Sequence, residues 1–201
     1  MNARARRSLL SLAAVLACAG AVRADEQWDL VYHSGVCGDL DKVKAALPKS
    51  KVDRAPHGDG DTALLKAAEK GCVETARFLL DNRADVNQRH SPQKFYDNYG
   101  KDGRTPLIYA AQNKDLAMLQ LLVERKANLG LASDGDETAL HWAAYKDWKE
   151  GAAYLLEHGA PADHSTSKTG SPLSYSAGTG DVELIKMIAE KLPPGRMNAE
   201  M

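Results

Sequence analysis

The chain has 201 residues, 44% of them hydrophobic and 26% charged, which is enough apolar content for a core and argues against wholesale disorder. Aromatic residues make up only 6% while alanine is abundant, favouring close-packed helices over an aromatic-rich sandwich, and three cysteines are too few for a disulfide scaffold. The net charge is −1, without the surplus of basic residues on which nucleic-acid binding rests.

The chain opens on a distinctive segment. Met1–Arg7 is basic, Leu9–Ala17 is an apolar run broken only by Ser11, and Val22-Arg23-Ala24 places small residues ahead of a cut before Asp25. That layout predicts a secretory signal peptide over residues 1–24, and the run falls far short of the ~20 residues that span a bilayer. Val15-Leu16-Ala17-Cys18 also resembles a bacterial lipobox, so an alternative product is an outer-membrane lipoprotein anchored through Cys18. The placing of Ala24 favours the later cut and a periplasmic protein, in contact with the membrane only if Cys18 is lipidated. Residues 1–24 hold Arg4, Arg6, Arg7 and Arg23 and no acid, so removing them leaves 22 basic against 27 acidic residues, a charge of −5.

Beyond residue 25 the chain repeats itself. Asp61-Thr62-Ala63-Leu64-Leu65-Lys66-Ala67-Ala68 aligns with Arg104-Thr105-Pro106-Leu107-Ile108-Tyr109-Ala110-Ala111, with Glu137-Thr138-Ala139-Leu140-His141-Trp142-Ala143-Ala144 and with Gly170-Ser171-Pro172-Leu173-Ser174-Tyr175-Ser176-Ala177. Thr105 to Thr138 and Thr138 to Ser171 are each 33 residues, whereas Thr62 to Thr105 is 43, one period plus ten. A fainter copy begins at Asp29, and its Gly38 matches Gly71. Thr or Ser at the start of each unit can cap a helix, Pro106 and Pro172 suit the first helical position, and Asp39, Asp115 and Asp181 suit the start of a second helix. Val73, Ala76, Leu79 and Leu80 supply an apolar stripe at helical spacing. One such helix pair cannot bury its own face, so stacking creates the core.

On these motifs, together with tails such as Phe78-Leu79-Leu80-Asp81-Asn82-Arg83-Ala84-Asp85-Val86-Asn87, the chain resembles an ankyrin-repeat protein. The resemblance implies an all-α ankyrin-repeat solenoid of about five stacked helix-turn-helix units over residues 25–193. The units fall at about 29–56, 57–88, 101–133, 134–166 and 167–193, with an insertion at about 89–100 and a tail at 194–201. It also implies that the residue before the Ala-Ala pair faces a concave, partner-binding surface. That ladder reads His33, Lys66, Tyr109, Trp142 and Tyr175, and Tyr145, one turn beyond Trp142, thickens it. Aromatic residues are enriched at binding hot spots. Phe95, Tyr96 and Tyr99 in the insertion either fold back on their own repeat or help grip a partner.

The remaining features carry bland readings. His141 is expected to hydrogen-bond its local turn, and His57, Asp59 and Asp61 are read as a turn rather than metal ligands. Trp148 is either an exposed anchor or a ring turned inward to replace the apolar residue missing at Lys149. Cys37 and Cys72 lie on the turns of adjacent units, 35 residues apart. Two small buried thiols are the leading reading there, with a disulfide as the alternative in an oxidising compartment. No nucleophile elbow, His-Glu-Xaa-Xaa-His or phosphate loop is present, so no catalytic residue, cofactor, metal or small-molecule substrate is assigned. The expected activity is non-catalytic binding of another protein in the cell envelope, as scaffold or helper. An antagonist or immunity protein neutralising a toxin or enzyme is the alternative.

Overall fold

Thr62, Thr105, Thr138 and Ser171 each end an extended stretch and begin a helix in the computed structural model, which describes residues 29–55, 61–90, 103–165 and 170–194. The hydroxyl oxygens of Thr62, Thr105 and Ser171 accept from the backbone N–H groups of Leu65, Ile108 and Ser174 at 3.3–3.4 Å. Each satisfies one of the donors that a helix start leaves orphaned. Pro106 and Pro172 occupy the first helical position, where no N–H is needed. The second helices of the third and fifth pairs start on Asp115 and Asp181, whose carboxylates accept from Met118 N–H at 3.0 Å and Glu183 N–H at 2.9 Å.

Ten helices result among the described residues: α1 (29–34), α2 (Leu40–Ala46), α3 (Ala63–Lys70), α4 (Val73–Asp81), α5 (Pro106–Gln112), α6 (Leu116–Glu124), α7 (Ala139–Tyr145), α8 (Lys149–Glu157), α9 (Pro172–Thr179) and α10 (Val182–Glu190). They form an all-α solenoid in two layers. The inner layer stacks α3, α5, α7 and α9 in order, and the outer layer stacks α2, α4, α6, α8 and α10. Gly71 and Gly180 take left-handed backbone conformations (φ 73° and 78°) that turn α3 and α9 toward their partners. The Ala pairs 67–68, 110–111 and 143–144 are wholly buried, because only methyl side chains let neighbouring inner helices approach closely. Between the layers Leu64, Leu79, Ile108, Leu119, Leu140, Leu155 and Leu184 are fully buried. Each contributes roughly 1.5–3 kcal/mol relative to exposure.

Polar locks fix one pair on the next. Asp53 Oδ1 accepts from Asp85 N–H at 2.9 Å, and Asn87 Oδ1 accepts from Asn128 N–H at 2.8 Å. The Asn113 amide donates to Glu69 O at 2.8 Å, satisfying a carbonyl at the end of the preceding inner helix. Arg125 pairs with Asp81 at 2.7 Å across the outer layer.

The stem of the loop before α5 matches that of the shorter loop before α7. Ser133 N–H donates to Glu137 O at 2.9 Å, closing a tight turn before α7. At the matching place before α5, His90 N–H donates to Arg104 O at 2.8 Å and Gly103 N–H to His90 O at 3.1 Å. The paired residues are fourteen apart in one case and four in the other, and the stem is the same in both. Arg89 braces this stem, donating to Ala132 O at 3.0 Å and to Asp134 Oδ1 at 2.9 Å in the next loop.

Two readings that the sequence left open are resolved here. Cys37 and Cys72 are not buried thiols: their Cα atoms lie 4.9 Å apart and the sulfurs are joined. The offset of two residues from the 33-residue period brings the two turns into bridging range, and Cys37 is exposed. Trp148 turns inward, 7% exposed, and Gly151 one turn along supplies the space for its ring.

Candidate functional site

One position in each unit, just before the Ala pair, projects from the inner helix, but its fate changes along the stack. His33 Nδ1 lies 2.9 Å from Asp39 Oδ2, which holds the Asp39 carboxyl below its usual range. Lys66 donates to Glu69 at 2.9 Å and to Asp61 at 3.1 Å. Burial opposes the Lys66 charge, but these two carboxylates outweigh it and raise the ammonium's pKa above its ordinary value. Burial likewise pushes the Asp61 carboxyl up, yet the hydrogen bond to His90 and the Lys66 charge together hold it down at about 2. Asp61 thus belongs to an internal cluster with Lys66, Glu69 and His90; His57 and Asp59 lie outside the described residues.

Tyr109 does not reach an open face. It is only 3% exposed, its hydroxyl is buried with no hydrogen-bond partner among the described residues, and burial first, then the charges of Asp61 and Glu69, push the phenol well above its ordinary range. The open aromatic surface begins one unit later. Trp142 is half-buried, Tyr175 is half-buried and Tyr145 is 56% exposed. The Tyr145 ring stands edge-on to Trp142 (5.8 Å, 86°) and to Tyr175 (6.1 Å, 84°). These three side chains, with Glu137 and His141, enclose a cleft of about 250 Å³. A second hollow of about 370 Å³ lies beyond Tyr145 and Tyr175, against Ser174, Gly178 and Thr179.

A second periodic position supports the first. The residue just before each capping Thr reaches the ring presented by the following unit. Asp61 acts electrostatically on Tyr109, the Arg104 guanidinium lies 5.0 Å from the Trp142 ring centre, and Glu137 Oε1 accepts from the Tyr175 hydroxyl at 3.1 Å. Arg104 is itself held by Gln112 Oε1 at 3.2 Å. Sequence reasoning missed Arg104 and Glu137 as site residues. The signal was available, since both recur at the same phase as the aromatic ladder, one residue ahead of Thr105 and Thr138.

His141 forms the floor. Its Nδ1 accepts from Thr138 N–H at 3.1 Å, closing a capping box, and so its Nε2 carries the proton donated to Gly170 O at 3.3 Å in the next unit. Burial lowers the imidazole's pKa to about 4, so the ring is neutral at pH 7. Its edge contacts with Tyr175 and His164, both at 5.6 Å, orient the cleft wall. Phe95, Tyr96, Tyr99 and Cys18 lie outside the described residues.

The fold and this face define a helical-repeat solenoid with an aromatic cleft on its inner-helix side. Comparison with known proteins assigns the repeat. The family of ankyrin repeats (3 copies) matches residues 30–133 and 90–165. The chain belongs to the ankyrin-repeat family. It is 26% identical over 170 residues to the NAD-dependent deacetylase sir2B of Dictyostelium discoideum, covering 80% of this chain and 22% of that protein. It is 28% identical over 137 residues to the B-cell lymphoma 3 protein homolog of Mus musculus, covering 68% of this chain and 29% of that one. It is 31% identical over 134 residues to the Neurogenic locus notch homolog protein 1 of Homo sapiens, covering 66% of this chain and 5% of that one. The chain therefore spans less than a third of each of these relatives. Ankyrin repeats make up a protein–protein interaction module, and what surrounds them in each relative belongs to that relative.

Proposed function

We propose that this chain is a protein-binding module of the cell envelope that holds a partner, as scaffold or helper, against the inner-helix face around Trp142, Tyr145 and Tyr175. The observation that carries this reading is the trio of rings on adjoining units, with Tyr145 more than half exposed beside a cleft of about 250 Å³. Rings of this kind bury large area with few rotors, which is why they dominate binding hot spots. Export is supported by the signal-peptide layout of residues 1–24, and the Cys37–Cys72 bridge suits an oxidising compartment such as the periplasm. The charge of −5 beyond residue 24 would steer a partner with a basic patch.

The test is affinity capture from envelope extract with residues 25–201 as bait, beside a Trp142→Ala/Tyr145→Ala variant of unchanged helical circular dichroism. The variant is expected to lose the captured partner. Equal capture by both baits would refute the reading of this face.

A further inference from the structure

The cleft is built as a corner. Trp142 and Tyr145 meet at 86°, Tyr145 and Tyr175 at 84°, and Glu137 adds a carboxylate to the same lining. Ring faces carry negative electrostatic potential and Glu137 adds a full negative charge, so a cation in the cleft meets more than one favourable group. Among the described residues no basic side chain lines it. The cations nearby already show what these rings attract: Arg104 lies over Trp142 at 5.0 Å and Lys146 over Tyr145 at 5.5 Å, and neither is part of the lining. His141 brings no charge, because its donor is turned to Gly170 and its burial keeps the ring neutral.

We propose that this cleft is an aromatic cage that takes a single lysine-type ammonium side chain presented by the partner protein. The inference rests on the reading of this face as a protein-binding surface and adds the chemistry of what it holds. Shape selects ammonium over guanidinium. A compact cation can be surrounded by perpendicular walls, whereas a planar guanidinium stacks on one face or forks onto both oxygens of a carboxylate.

The probes are Nα-acetyl-lysine amide, its arginine counterpart and the uncharged Nα-acetyl-norleucine amide, titrated into the full chain while the Trp142 indole N–H resonance is followed. The lysine probe should shift that resonance with a dissociation constant about tenfold lower than either of the others. Glu137→Gln keeps an oxygen for the Tyr175 hydroxyl and removes the charge, so it should weaken the lysine probe about tenfold and leave the norleucine probe unchanged. Equal affinity for lysine and norleucine probes, indifference to Glu137→Gln, or no shift with the lysine probe would each overturn the cage. Should the cage fail while Trp142→Ala/Tyr145→Ala still abolishes capture, the face binds by other chemistry and the proposed function stands. Should that variant capture normally, the face itself is wrong.

Discussion

Gly151 lies inside helix α8, where glycine is ordinarily a defect: replacing an exposed interior helical glycine by alanine stabilises by about 1 kcal/mol. Here the sign should reverse. A methyl at Gly151 would overlap Cε3 and Cζ3 of the Trp148 indole and lie 2.5 Å from Cδ2, and the ring, 7% exposed, is itself hemmed in. Overpacking of this kind costs about 1–3 kcal/mol. If the ring instead swings out and returns about 100 Å² of apolar surface to water, the cost is about 2.5 kcal/mol. Set against the propensity gain, Gly151→Ala should lose up to about 1.5 kcal/mol, which for a domain of this size lowers Tm by up to about 5 °C. Thermal unfolding followed by circular dichroism reads this directly. The cause is isolated by a cycle: in a Trp148→Leu background the same substitution should raise stability by about 1 kcal/mol, since the ring is gone and propensity remains. A higher Tm for Gly151→Ala in the native background would refute the steric argument.

Three further outcomes follow from the same geometry. Cys37→Ser/Cys72→Ser releases a loop spanning 35 residues and should cost about 3–4 kcal/mol by chain entropy, seen as a matching loss in urea unfolding that reductant reproduces in the native chain. For His141, the folded pKa of about 4 lies below the ordinary 6.5, so the unfolded chain binds more protons between those values and stability falls as pH drops through that window, by about 3 kcal/mol in all. An imidazole Cε1 proton of His141 that titrates near pH 6.5 in the folded protein would contradict this. Asp115→Ala removes the acceptor for Met118 N–H at the start of α6 and should cost about 1 kcal/mol, with an unchanged urea midpoint as the contrary result.

Identical ladder positions meet different ends here, and the cause lies outside each unit's own sequence. Tyr109 and Trp142 both precede an Ala pair at the same phase, yet one is buried and the other lines a cleft. Asp61 and Glu69 bear on the Tyr109 phenol from the unit before, whereas Trp142 is met by Arg104. Lys66 reads as an open cation in the alignment, but Asp61 and Glu69 close on it.

The chain's order of amino acids determined the unit, its period, its caps and the layering, because these depend on contacts within a few residues: a hydroxyl three positions ahead of an N–H, a proline where no donor is needed, apolar side chains on one helical face. Only packing between units decided which rings stay open, that Cys37 meets Cys72, and that Glu137 joins the cleft. Those outcomes hang on ångström-scale distances between residues some 30 to 40 positions apart, which the period brings near and side-chain packing alone resolves.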